Sequence, residues 1–181
     1  AKKYSRIGMI ARWKPDHLGH AAILRAVCNS GEAALIGIGS SNRYNARNPF
    51  TLDETREMIQ LVLAEFSNYE IIPVPDLDDG PRWRALVKDL FDALDVFVTE
   101  NPYVTSLLKD DYRVIRPVEL IPPGERVPAE GSAVRRAMAR GEDWESLVPP
   151  VVAEYIKSNR LDIRFREEFG LETLAMMTLV E

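Results

Sequence analysis

The sequence predicts an α/β protein, a doubly wound parallel sheet of about five strands with a helical C-terminal part. Short, near-continuous apolar runs alternate with amphipathic runs of helical period, the pattern of strands covered on both faces by crossover helices. Turn residues close that alternation at Pro122-Pro123-Gly124. From about Gly131 onward the runs read as helical.

Each element has its own signal. Ile7–Ala11 is apolar throughout and reads as a first strand, followed by a helix from about Gly19 to Val27. Ala33–Gly39 reads as a second strand. Thr51-Leu52-Asp53-Glu54 is a capping-box pattern that opens a helix over about Leu52–Phe66, where Met58, Ile59, Val62, Leu63 and Phe66 recur at helical spacing. Glu70–Val74 reads as a third strand and Trp83–Leu94 as a third helix. Asp95–Thr99 is a fourth strand and Tyr103–Lys109 a short helix. Arg113–Ile121 is a fifth strand, with Pro117 marking an edge or an interruption. Ser132–Arg140, Trp144–Val148 and Pro150–Asn159 read as helices. Leu161–Glu181 is weakly patterned, with Phe165, Phe169, Leu174 and Met177 available to pack back on the body. The expectation is one domain over residues 1–181, mostly helical over 131–181.

Composition narrows the function. The 181 residues suffice for one real core. A net charge of −5 argues against bulk nucleic-acid binding, which needs a basic surface, but leaves room for a local cationic pocket. Cys28 is the single cysteine, so no disulfide framework or Cys-based zinc site is expected, which fits a reducing cytoplasm. The opening residues lead into an apolar stretch too short for a signal peptide or a membrane span.

The densest chemistry lies in Arg12-Trp13-Lys14-Pro15-Asp16-His17-Leu18-Gly19-His20, between the first strand and the first helix. Both histidines of the chain fall there. Helix-start N–H groups make such a corner a natural anion site, Gly19 lets a ligand approach the backbone, and imidazoles, Arg12 and Lys14 surround whatever anion is held. A metal reading of the two histidines would need a third ligand, for which Asp16 is the only neighbour. Gly37-x-Gly39 ends a strand and has Asn42 where a dinucleotide fingerprint needs glycine, so hydride transfer fits poorly. No G-x-x-x-x-G-K-[ST] occurs.

His17-Leu18-Gly19-His20 matches the H-x-G-H signature of the nucleotidyltransferase superfamily, and Gly131-Ser132-Ala133-Val134-Arg135-Arg136 resembles its second phosphate-binding signature. The chain resembles most closely the archaeal-type nicotinamide mononucleotide adenylyltransferases. The shared features run in order: Arg12, Gly39-Ser40, Arg47-Asn48-Pro49-Phe50-Thr51 with Arg56, Ile71–Asp76, Trp83, Asn101-Pro102, Gly131–Arg136 and Asp143–Pro149. They extend from about residue 7 to residue 156.

The resemblance implies a Rossmann-like nucleotidyltransferase fold and adenylyl transfer from ATP to a mononucleotide phosphate. It implies His17, His20, Arg12 and Lys14 as the catalytic group. Gly19, Asn101, Gly131, Ser132, Arg135 and Arg136 would bind the nucleotide, and Ser40, Arg47, Phe50, Asp76 and Trp83 the acceptor. Mg²⁺ is expected with ATP, since it bridges phosphates with few protein ligands. A homo-oligomer is also implied.

The sequence departs from the family pattern at Asp16, which replaces an aromatic residue, at Gly80, which replaces an asparagine, and at Glu130 and Ala133. The triphosphate machinery is therefore better matched than the acceptor pocket. Nicotinamide mononucleotide, nicotinate mononucleotide and other phosphorylated acceptors stay open, as does CTP in place of ATP. A nucleotide-binding regulator without turnover is a third reading.

Overall fold

The structure is a computed structural model that describes residues 2–128 and 130–178. In chain order the elements are β1 (Tyr4–Ala11), α1 (Leu18–Ser30), β2 (Gly31–Gly39), α2 (Leu52–Val62), β3 (Tyr69–Val74), α3 (Gly80–Phe91), β4 (Val96–Val98), α4 (Pro102–Leu108) and β5 (Val114–Ile115). Helices α5 (Gly131–Arg140), α6 (Pro150–Ser158) and α7 (Leu161–Thr178) follow. The five strands form one parallel sheet in the order β3-β2-β1-β4-β5. The α/β class, the five strands and the helical C-terminal part are those the apolar alternation predicts.

The ends of the elements follow local chemistry. Thr51 and Glu54 cap α2 reciprocally, the Glu54 N–H donating to Thr51 Oγ1 and the Thr51 N–H to Glu54 Oε1. Helix α2 stops at Val62, short of the expected Phe66. Helix α3 starts at Gly80, three residues before the expected Trp83, because Asp79 caps it by accepting from the Arg82 N–H and proline occupies its first turn. The fifth strand is two residues long instead of nine, because Pro117 opens a 3₁₀ turn. Trp144–Val148 narrows to a 3₁₀ turn over Glu145–Leu147. Pro73 sits in β3, an edge strand, where a missing N–H costs no ladder bond. The weakly patterned C-terminal stretch is helix α7 up to Thr178, with Phe165 buried.

Contacts group the chain into two compact units, each made of three segments. The first comprises Ala1–Arg12, Ala22–Asn42 and Leu63–Arg126 and contains the whole sheet. Its core includes Leu35, Ile72, Val74, Phe91, Phe97 and Tyr112, with Phe91 edge-on to Phe97 at 6.1 Å and Phe97 stacked on Tyr112 at 6.0 Å. Each such fully buried large side chain contributes about 1.5–3 kcal/mol. Chain order runs outward from β1 to β3 and then crosses to β4 on the other side of β1. That reversal is the switch point at which open parallel sheets bind ligands. Because the strands are parallel, Arg12, Ser40, Asp76 and Asn101 all follow strand ends on one edge of the sheet.

The second unit comprises Trp13–Ala21, Arg43–Val62 and Val127–Glu181. Helix α5 packs on α7, α2 on α6, and α6 on α7. Its buried apolar side chains include Met58 and Ile59 of α2, Val134 and Met138 of α5, and Val152 and Ile156 of α6.

Candidate functional site

The second unit holds Lys14, His17, Gly19 and His20 in the Trp13–Ala21 corner and brings Gly131 and Arg135 of α5 against it. Trp13 adopts a left-handed backbone, with φ at 56°, and its indole is fully buried. Lys14 and Asp16 are buried as well. His17 precedes the first turn of α1, and its Nδ1 accepts the His20 backbone N–H at 3.1 Å. An accepting Nδ1 places the proton of the neutral ring on Nε2. The two imidazoles stack with centroids 3.8 Å apart, and the indole of Trp13 meets His20 edge-on at 4.7 Å. Gly19 sits in a crowded place, since a Cβ there would lie 3.1 Å from the His17 ring and 3.1 Å from the Val127 carbonyl oxygen.

Helix α5 closes the corner. The Arg135 guanidinium donates from Nη1 to the Lys14 carbonyl at 3.0 Å. Gly131 and Ser132 form the first turn of α5, where helix-start N–H groups favour an anion. Glu130 holds the N-cap place without making a side-chain cap, and the Ser132 hydroxyl donates to Glu130 Oε2 at 3.3 Å. Arg136, on the same helix, is half-buried.

Burial and charge keep both rings neutral. Desolvation, with the Arg135 charge nearby, pushes His17 down to about 4. Desolvation, then the His17 ring, pushes His20 down to about 3, while a hydrogen bond to the Pro15 backbone pulls the other way. Asp16 is fully buried, its carboxyl oxygens accept no hydrogen bond among the described residues, and burial holds its pKa well above the usual carboxylate range.

Depressed imidazole pKa values mean that the unfolded chain binds more protons than the folded one between about pH 3 and 6.5. Stability is therefore full above pH 6.5, falls as pH drops from there toward the folded values, and levels off below them. We expect each ring to take away about 2 kcal/mol between pH 7 and pH 5. Asp16 works in the opposite sense, because its raised pKa relieves a penalty as pH falls. Urea unfolding of the wild type and of the double variant His17→Asn/His20→Asn isolates the imidazoles. Equal pH slopes for the two proteins would show that the rings carry no such linkage.

The remaining sequence-predicted residues lie as follows. Arg47 is exposed in a turn whose ends, Asn45 and Asn48, exchange backbone hydrogen bonds. Phe50 is fully buried, so it anchors that loop rather than presenting its ring to solvent. In the first unit, Arg12 is exposed at the end of β1 and Ser40 follows β2 with φ at 52°. Asn42, which sequence reading missed, accepts the Asp76 N–H and donates to the Asp76 carbonyl, tying the loops after β2 and β3 together. Trp83 is half-buried against the sheet-unit core. Gly80 opens α3 beneath Tyr103, whose hydroxyl would lie 2.6 Å from a Cβ at that position. Asn101 uses its Oδ1 to cap α4, accepting from the Tyr103 and Val104 N–H groups. Trp13 was also missed, since only its neighbours mark its place in the sequence.

No family model matches the chain. A nicotinamide-nucleotide adenylyltransferase of Halobacterium salinarum is 34% identical over 149 residues, covering 81% of this chain and 82% of its own. One from Thermoplasma volcanium is 32% identical over 158 residues, covering 86% and 87%. The chain belongs to the nicotinamide-nucleotide adenylyltransferase family. Its fold also superposes on a bifunctional NMN adenylyltransferase/ADP ribose pyrophosphatase of Francisella tularensis, solved with AMP and a manganese ion, with a TM-score of 0.73 at 15% identity. That alignment covers 98% of this chain and 56% of the Francisella one, so this member of the family spans about half the length of that protein. Among the described residues no helix is long and apolar enough to cross a membrane.

Proposed function

We propose that the chain transfers the adenylyl group of ATP to the 5′-phosphate of nicotinamide mononucleotide, giving the dinucleotide and pyrophosphate. The stacked His17–His20 pair, with Arg135 held on the Lys14 carbonyl beside it, is the observation that carries this reading. It concentrates donors and positive charge at a helix start, where the outer phosphates of a nucleotide would rest. An acceptor phosphate oxygen forms the new bond to the α-phosphorus, and the bond from the α-phosphorus to the bridging oxygen of the β-phosphate breaks. The electron pair leaves with pyrophosphate. The attacking phosphate is ionised at neutral pH, its second pKa being about 6, so the step needs no general base.

Catalysis then consists of alignment and charge stabilisation. In this reading His17 and His20 serve as neutral donors to oxygens that gain charge, His20 exchanging its hydrogen bond to the Pro15 backbone for one to a phosphate oxygen, with Arg12 and Lys14 as the cations. Gly19, Gly131, Ser132, Arg135, Arg136 and Asn101 hold the nucleotide, while Ser40, Arg47, Asp76 and Trp83 hold the acceptor. Phe50 supports the Arg47 loop from beneath.

Among the described residues no three His, Cys, Asp or Glu side chains come together. The reading therefore has the divalent ion, Mg²⁺, enter on the nucleotide phosphates, where it supplies further neutralisation. It treats residues 1–181 as one nucleotidyltransferase domain working in the cytoplasm as a homo-oligomer.

The deciding experiment is pyrophosphate release with ATP or CTP against nicotinamide mononucleotide, nicotinate mononucleotide and other mononucleotides. Turnover with ATP and nicotinamide mononucleotide supports the proposal, and turnover only with another pair corrects the substrate. A second expectation concerns Trp83. Stacking of a pyridine ring on its indole contributes roughly 0.5–1.5 kcal/mol beyond area burial and perturbs fluorescence. Nicotinamide mononucleotide should give a saturable fluorescence change that vanishes in Trp83→Ala and persists in Trp144→Phe. A signal unchanged in Trp83→Ala would place the ring elsewhere.

A further inference from the structure

One guanidinium in the C-terminal helix grips the Arg47 loop at three points. Arg164 of α7 donates to both Glu54 oxygens, at 2.8 and 2.7 Å, and to the Pro49 carbonyl at 3.1 Å. Its guanidinium also lies over the Tyr44 ring, 5.5 Å from the centroid. Tyr44 in turn donates its hydroxyl to Glu168, one helical turn further along α7, and meets Phe169 edge-on at 5.2 Å.

Between the two gripped residues, Tyr44 and Pro49, the chain makes the tight Asn45–Asn48 turn. Asn45 Oδ1 accepts from the Arg47 N–H, the Asn48 N–H and Asn48 Nδ2. The turn is thus stiff in itself and fixed at both ends, and the Arg47 side chain leaves it into solvent. Exposed ion pairs generally contribute little, but this pair is largely shielded, with side-chain exposures of 29% for Arg164 and 17% for Glu54. The planar five-donor fork sets direction as well as distance, which a lysine cannot do.

We infer that Arg164 is a positioning residue for the acceptor, aligning Arg47 by pinning both ends of its turn to α7. The inference rests on the reading of Arg47 as an acceptor contact. It gives the C-terminal helix a part in acceptor selection, while ATP binding does not depend on it.

The test is steady-state kinetics with ATP, Mg²⁺ and nicotinamide mononucleotide on Arg164→Ala, Arg164→Lys, Glu54→Gln, Arg47→Ala and the double variant Arg47→Ala/Arg164→Ala. Arg164→Ala should raise the acceptor KM roughly tenfold, a loss of orientation, with the ATP KM within about twofold. Arg164→Lys should recover only part of it. Glu54→Gln keeps the capping box, which glutamine also serves, and should raise the acceptor KM several-fold, so the result stands even if Arg164→Ala does not fold. If Arg164 acts through Arg47, the double variant should be no worse than Arg47→Ala alone.

Arg47→Ala without effect on the acceptor KM removes the underlying reading. Arg47→Ala selective for the acceptor, with Arg164→Ala and Glu54→Gln silent or raising both KM values equally, overturns the inference itself.

Discussion

Replacing His20 with alanine should cut turnover about a hundredfold or more, the usual loss for one donor that serves a transition state, while ATP affinity changes only a few-fold. The substitution is clean because the backbone N–H that His20 gives to His17 Nδ1 is retained. The ring goes, and with it the stack on His17, the contact with Trp13 and the hydrogen bond to the Pro15 backbone. Pyrophosphate release measures kcat and titration calorimetry measures ATP binding on the same preparation. A near-normal kcat would leave His20 with no part in catalysis. Equal losses in kcat and affinity would make it a ground-state binding residue.

Arg135→Ala should weaken ATP far more than AMP, because only ATP offers outer phosphates to the guanidinium. Losing hydrogen bonds to a charged group costs about 1.5–3 kcal/mol, roughly 10- to 150-fold in Kd, against a few-fold for AMP. The side chain also holds the Lys14 carbonyl and lowers the pKa of His17. The His17 pKa should therefore rise from about 4 toward its ordinary value, though burial, the larger cause, still holds it down. Paired calorimetry with the two nucleotides tests the first effect and NMR titration of the imidazole the second. Equal losses for ATP and AMP would move Arg135 away from the outer phosphates.

These expectations trace back to features of different legibility in the sequence. The sheet could be read because each strand is a compact apolar run, and the edges of Ala33–Gly39 and Glu70–Val74 shifted by only one or two residues. Helix α2 could be placed because Thr51 and Glu54 announce its first turn chemically. Helix α3 begins before the first apolar residue of its pattern, Trp83, because its start at Asp79-Gly80-Pro81 is set by a cap and a proline that carry no hydrophobic period. The C-terminal helix resisted pattern reading because its apolar residues do not gather on one face. It is held instead by Phe165 and by ion pairs such as Arg164–Glu54, 110 residues apart in sequence.

The corner followed the same division. His17, His20 and Gly19 carry a spacing that can be recognised. The insertion of the His20 ring between His17 and Trp13, and the use of the Lys14 carbonyl as a seat for Arg135, depend on backbone directions that no local pattern encodes. Phe50 reads as a contact residue from its place in a motif, whereas in the structure its side chain is fully buried.

The order in which the segments are joined has a consequence for biosynthesis. Every segment of the sheet unit has been made once Arg126 is added, whereas the second unit still lacks its third segment. Lys14 and Arg135 are separated by 121 residues, a wait of roughly 6–25 s at the usual pace of translation. During that interval the histidine corner has been made but its arginine has not. A ribosome that stalls before α5 therefore releases a chain with the whole sheet but without the residues that complete the phosphate corner.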